Sequence, residues 1–162
     1  MTNPYAPPAA RVDDVVAPTT EAAPRLWNPN AAVNWSLLFS PAFGAWLHMK
    51  NWEALGEPQK AKAAKTWIVI SLGLIVALSL ASGLMPDSKG LDAATRSFGL
   101  VLLISWYVSA GRGQATLVKQ RFGKDYPRRG WTQPLLWAVG ATIAFFALVF
   151  VLAFAAGMAG AE

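Results

Sequence analysis

The sequence predicts an all-α integral membrane protein: a compact bundle of three transmembrane helices, preceded by a broken N-terminal helical segment read as re-entrant. Three observations lead there. Of the 162 residues, 54% are hydrophobic and only 14% charged, against about 25% charged in an ordinary soluble domain. The mean hydropathy is +0.34, and the apolar residues fall in long uncharged runs rather than in alternation. Seven tryptophans (Trp27, Trp35, Trp46, Trp52, Trp67, Trp131 and Trp137) stand near the ends of those runs, where an amphipathic ring prefers the headgroup layer. Trp106 lies inside a run and is read as a helix-packing residue.

Residues 1–27 read as a disordered, Pro-rich tail. Prolines 4, 7, 8, 18 and 24 are spread among Ala, Thr and Asn with no apolar run, so the stretch buries too little to offset the entropy of ordering it. It lacks the basic start and apolar core of a secretory signal, and its removal is expected to leave membrane insertion intact. The helical membrane domain is placed at 28–162.

Four uncharged stretches define that domain. Segment 31–49 is long enough to cross, but Pro41 sits at its centre, with Gly44 beside it and Asn34, Ser36, Ser40 and His48 diluting it. Proline removes a backbone donor and clashes with the preceding turn, leaving halves of about 12 Å, too short to cross alone. A re-entrant or interfacial hairpin is favoured over a kinked span; broken helices at membrane depth need protein cover. Segment 66–85 carries the apolar run that a crossing helix needs, about 20 residues, behind Lys60, Lys62 and Lys65. Segment 97–111 is shorter and is bracketed by Arg96 and Arg112, whose side chains snorkel toward opposite interfaces. Segment 134–157 is the centre of an uncharged run from Gly130 to Ala161.

The connecting charges orient these spans. Lys and Arg number 2 in the tail, 4 in residues 50–65, 2 in 86–96 and 6 in 112–130. Short loops rich in Lys and Arg stay cytoplasmic, which puts loops 50–65 and 112–130 on the cytoplasmic side and the C-terminus on the opposite side, the periplasmic one in a bacterial inner membrane.

Few residues promise chemistry. The absence of Cys excludes disulfides, thiol catalysis, thiolate zinc sites and iron–sulfur clusters. The single His excludes a multi-histidine metal or haem site within one chain, and no cofactor is expected. His48 is read as an interfacial residue bonded to water, headgroup or backbone rather than as a proton carrier. The spans at 66–85, 97–111 and 134–157 hold no internal acid or base, and such residues usually mark transport paths. Gly111-Arg112-Gly113 lacks the Gly-Lys-Ser/Thr continuation of a phosphate loop and reads as a helix C-cap. Glu53 and Glu57 read as a solvated face, Asp13 and Asp14 lie in the tail, and Asp87 and Asp92 have no neighbouring base or nucleophile. Spacing gives no support for pairing Ser36 or Ser40 with His48.

The basic stretch 112–130 is the richest polar feature, interleaving charges with Leu117, Val118, Phe122 and Tyr126. Its candidate docking residues, for a partner protein or anionic headgroups, are Lys119, Arg121, Phe122, Lys124, Tyr126, Arg128 and Arg129. A nucleic-acid partner would need a larger basic surface. The second candidate feature is the broken segment itself, with Asn34, Trp35, Pro41, Gly44 and His48. Small-residue stripes at Gly73/Ala77/Ala81 and Ala153/Gly157/Ala161 favour close helix approach, within the chain by default and between copies as the alternative.

Two strings carry a resemblance: Asn-Pro-Asn-Ala-Ala-Val-Asn-Trp-Ser-Leu-Leu-Phe-Ser-Pro-Ala-Phe-Gly-Ala-Trp at 28–46 and Arg-Phe-Gly-Lys-Asp-Tyr-Pro-Arg-Arg-Gly-Trp at 121–131. Together they resemble small uncharacterised inner-membrane proteins of Gram-negative bacteria. The Asn-Trp…Phe…Pro…Gly…Trp core is also similar to a wider class of bacterial membrane domains of unknown function, in which a comparable segment opens a compact helical domain. The resemblance covers about residues 28–137. It implies a location and an architecture and brings no catalytic residues.

Three function classes follow. The first is a non-enzymatic protein that binds a membrane or secreted protein partner, as an accessory subunit or as an immunity protein against a membrane-acting bacterial toxin. The second is an oligomeric small transporter or channel component. The third is a membrane enzyme acting on lipid, with His48, Asp87 and Asp92 as its only resources.

Overall fold

The computed structural model describes residues 22–85 and 87–159; the expectation for residues 1–21 lies outside them. The described chain is helical, in the order α1 (Pro29–Leu38), α2 (Pro41–Ala54), α3 (Pro58–Leu84), α4 (Lys89–Trp106), a π-helical turn (Tyr107–Gly111), α5 (Arg112–Phe122) and α6 (Thr132–Ala159). Three helices are long and apolar enough to cross a membrane: α3, the continuous helix Lys89–Phe122, and the Thr132–Ala155 part of α6.

The helix starts are written locally. Asn28 caps α1, its side-chain oxygen accepting from the amides of Asn30 and Ala31, with Pro29 as first helical residue. Ser40 repeats the device for α2, accepting from the Phe43 amide ahead of Pro41. Proline is pre-set for the first helical turn and lacks only an amide that would be unpaired there. Pro41 is therefore a restart signal, and the break falls at Phe39–Ser40. Pro58 opens α3, and Ser88 caps α4 through the Leu91 amide.

The α1–α2 pair is a hairpin that returns to the end it left. At its start, Leu26 packs with Val118 and Tyr126, and Ala54 and Leu55 from its finish join the same cluster. At its tip, Phe39, Ser40 and Pro41 line one cleft with Leu74 and Leu78 of α3, Leu102 of α4, and Phe145 and Phe146 of α6. Ten residues of α1 rise about 15 Å as helix, half of a ~30 Å hydrocarbon core. The kinked-span alternative is thereby excluded in favour of the hairpin.

Several sequence boundaries move. Segment 97–111 belongs to a helix of 34 residues, Lys89–Phe122, so Arg96 and Arg112 lie within one rod instead of bracketing a short one. Gly111 and Gly113 are interior to it and not a C-cap. The Arg112 amide donates to Tyr107 O, the five-residue step of a π-turn, and the helix ends instead at Gly123 with φ 67°, a left-handed geometry that suits glycine. Of the expected loop 112–130, residues 112–122 are helical; of 50–65, only Leu55–Glu57 lie between helices. The folded part also begins before residue 28, since Leu26 and Trp27 are buried.

Burial is concentrated at the basic end, where residues 22–28, 50–65 and 112–131 meet. Trp106 is fully buried against Ala45 and Leu103, which bears out its packing role. An indole buries roughly 200 Å², worth at most about 5 kcal/mol by area. Away from this end the helices splay. Of the described α6 side chains only Pro134 and Ala138 are buried. Among the described residues Gly73 and Gly157 have no neighbour within 4 Å for an added Cβ, so neither stripe packs closely on a described element at its glycine; Ala161 lies outside the described residues.

Candidate functional site

The basic end is held by a buried network of amides. Asn51 on α2 accepts the Trp27 N–H through Oδ1 at 3.0 Å and donates to the Trp27 carbonyl from Nδ2 at 2.8 Å. Its amide thus pairs the backbone of residue 27 as a neighbouring strand would. Nδ2 also donates to Gln114 Oε1 at 3.0 Å, and Gln114 Nε2 donates to the His48 carbonyl at 2.9 Å. These bonds fix both amide orientations, because a flipped Asn51 would set its NH2 against the Trp27 N–H. Asn51 and Gln114 are at most 1% exposed, and buried polar side chains persist only when bonded in this way.

A backbone clasp closes the same end. The Leu26 amide donates to Pro127 O at 3.1 Å and the Arg129 amide to Leu26 O at 2.9 Å. Trp27 Nε1 donates to Gly130 O at 2.9 Å. Arg129 lies over the Trp27 ring at 4.7 Å, with its Nε donating to Arg25 O at 2.8 Å.

The expected docking residues divide into two groups. Phe122 packs into the Leu26–Val118–Tyr126 cluster and Tyr126 is itself buried. Burial raises the Tyr126 phenol above its usual 10, with the Arg128 charge acting the other way. Arg121 pairs with Glu57 at 3.2 Å, and Lys60 reaches the same carboxylate at 3.4 Å. Glu57 therefore joins α3 to α5 and is not merely a solvated face. Arg129 serves the clasp. Lys119 and Lys124 are exposed and form no ion pair among the described residues, and Arg128 is exposed, its guanidinium 5.6 Å from the Tyr126 ring.

The broken-segment residues also separate. Asn34 is exposed; Trp35 is half-buried, 6.3 Å from the Trp131 ring. Pro41 and Gly44 are buried, and a Cβ on Gly44 would overlap Ser36 Oγ and fall 2.7 Å from Trp106 Cη2. Close approach of α2 to α1 and α4 requires glycine there. His48 stands edge-on to Trp106 with ring centroids 5.1 Å apart. Its Nε2 lies 3.3 Å from Pro29 O, an acceptor, so Nε2 carries the proton. Ser36 Oγ donates to Ala32 O at 2.8 Å rather than pairing with His48. Asp87 and Asp92 lie at the α3–α4 turn, the opposite end from His48.

Two hollows remain. The larger, about 800 Å³, is the apolar cleft between α3, α4 and α6 above the hairpin tip. The smaller, about 310 Å³, is a half-open hollow between α2, α3, the end of α4 and the π-turn, with His48, Trp52, Lys60, Trp106 and Ser109 around it. Asn51 and Gln114 carry no signal of their own in the sequence, and Trp27 reads there only as an interfacial ring. The legible signal was Gly111, Gln114 and Val118, whose spacing puts one buried face on the basic stretch. Comparison with family models, curated proteins and solved structures returned no match.

Proposed function

We propose that this membrane-embedded chain acts without catalysis, by binding a partner protein, as an accessory subunit or as an immunity protein against a membrane-acting bacterial toxin. The supporting observation is the division of the basic residues. Arg121 and Arg129 brace the fold, while Lys119 and Lys124 are left outward and free of ion pairs among the described residues, on a base held by buried amide bonds. A rigid surface lowers the ordering cost of association, and outward charge steers an oppositely charged partner. In this reading the basic end faces the cytoplasm of a Gram-negative inner membrane, as the resemblance and the loop charges imply.

The test is the double substitution Lys119→Gln/Lys124→Gln, followed by capture of the tagged protein from native membranes in mild detergent. It leaves 4 of the 6 basic residues in 112–130, enough to retain orientation. A stoichiometric partner lost in the double variant is the expected result. A partner held equally by both forms, or none at all, overturns the reading.

A second reading, an oligomeric transporter or channel component, draws on the hairpin that reaches mid-depth. Irregular backbone at that depth belongs where protein covers it or water lines it.

A further inference from the structure

The half-open hollow beside the π-turn has a floor and a rim of different character. The floor is buried and apolar, from Trp52, Ala64 and Trp106. The rim is exposed and built on small residues, Ala63 of α3 with Ser109 and Gly113 of the helix Lys89–Phe122. Side chains this short leave the space between the two helices unfilled; a Cβ added at Gly113 would meet nothing within 4 Å. Both walls also fix the level of the hollow. The apolar run of α3 begins at Thr66, just after Ala63 and Ala64, and the uncharged run of the second helix ends at Gly111, between Ser109 and Gly113. Each wall thus passes from charged to uncharged within the length of the hollow, which sets it where headgroups meet hydrocarbon. At that level the material outside an open groove is phospholipid.

The charge at the rim selects among phospholipids. Lys60 borders the hollow, its ammonium 4.8 Å over the Trp52 ring. Its partner Glu57, at 3.4 Å, also bonds Arg121 at 3.2 Å, so one carboxylate serves two cations. Arg112 adjoins Gly113 and lies three residues beyond Ser109, on the neighbouring turn of the same face. It is exposed and forms no ion pair among the described residues. Residues 58–84 and 93–124 contain no Asp or Glu. The two walls therefore bring surplus positive charge to one groove and supply no acid to it. A phosphodiester relieves that repulsion, and guanidinium and ammonium groups are its usual partners. A choline headgroup would add a further cation, and the Trp52 ring that could hold it already carries Lys60.

We infer that this hollow holds one anionic phospholipid of the phosphatidylglycerol class, its phosphate between Lys60 and Arg112 and the first carbons of its acyl chains over the apolar floor. A space of about 310 Å³, the room of about ten waters, suits the glycerol-linked part of one lipid while the chains continue into the bilayer. Basic pockets between spans on the cytoplasmic side are recurrent sites for anionic headgroups. The site goes beyond partner docking through Lys119 and Lys124 and uses neither residue, so the two readings fail separately.

The experiment is native mass spectrometry of the purified full chain, released from lipid nanodiscs holding phosphatidylglycerol and phosphatidylcholine in equal amounts. One phosphatidylglycerol retained per chain is expected. Lys60→Gln/Arg112→Gln is expected to lower that retention at least about tenfold, the equivalent of about 1.4 kcal/mol. Lys62→Gln/Lys65→Gln removes the same charge at the same level, but the helical repeat of about 3.6 residues puts both positions on the face of α3 away from Ala63 and Ala64. That variant is expected to retain the lipid. Each double variant keeps 8 of the 10 basic residues in 50–65 and 112–130, enough to hold orientation. Gly113→Leu fills the groove from its rim, and is expected to lose the lipid with unchanged thermal unfolding. Equal retention of the two lipids overturns the proposal, as do equal losses from the two double variants. So does a lipid that Gly113→Leu leaves in place, or one displaced by excess inorganic phosphate, which would mark a site for a soluble anion.

Discussion

The basic end and the apolar spans of this molecule are built on opposite principles. At the basic end, amides of Asn51 and Gln114 bond to one another and to backbone, two segments far apart in sequence clasp at Leu26, and Trp106 is wholly buried. Along the spans, large apolar side chains point outward: Leu84 is 83% exposed and Phe150 71%. In water the second pattern would be ruinous. In lipid it costs nothing, because hydrocarbon is as good a neighbour for leucine as another leucine. The specificity of the fold therefore resides at the basic end, and the spans follow from length and composition.

The largest effect that separates the two regions is expected from Asn51→Ala. It strips partners from the Trp27 amide, the Trp27 carbonyl and Gln114 Oε1 at once. Buried groups left unsatisfied cost about 1–3 kcal/mol each, so a loss of about 3 kcal/mol or more is expected, read as a lowered Tm in nanodiscs. Loosening should centre on residues 22–28, as increased amide exchange there. A Tm within a degree of the parent would mean that the network is ornamental and that the spans hold the fold.

A smaller effect, about 1–3 kcal/mol from overpacking, is expected from Gly44→Ala. The new methyl would overlap Ser36 Oγ and crowd Trp106, forcing the hairpin away from α4. Adding Ser36→Ala removes one of the two obstacles, so the double variant should be more stable than Gly44→Ala alone. Contacting residues are non-additive in this way. Equal stability of single and double variants would place the strain wholly at Trp106.

This contrast also explains what was legible in the sequence. The spans and the broken hairpin were, since an uncharged run of sufficient length has few other uses. Trp106 as a packing residue was legible too, being the tryptophan inside an apolar run rather than near the end of one. The ends of elements were not. Pro41 carries the same signature as Pro29, a polar cap followed by proline, yet hydropathy weighs it only as a defect. The continuation of α4 through Gly111 into α5 was hidden because charge density marks a membrane boundary, and a helix ignores that boundary when its next turn has a partner. Gln114 supplied that partner by reaching Asn51, 63 residues away. Such pairings depend on tertiary proximity, which composition and local spacing do not encode. The same holds for the candidate docking residues: a run of alternating charge and aromatics looked like one surface, and Phe122 and Tyr126 proved to be its foundation.

The smallest effect is expected where the exposed area is largest. Phe150→Ala removes an aromatic ring that is 71% exposed on α6, beside the opening of the apolar cleft that Phe146 and Val149 line. If lipid alone covers that face, folded and unfolded states in the bilayer present the ring to the same hydrocarbon. The stability change should then stay within about 0.5 kcal/mol, and Tm should not depend on the protein-to-lipid ratio. A loss above about 1 kcal/mol would show that protein covers the face. A Tm that then rose with protein density would identify a second copy of the chain, because oligomerisation couples stability to concentration. That outcome would move the spans from lipid-solvated rods to an interface, and would give α6 the packing partner that, beyond Pro134 and Ala138, it does not find among the described residues.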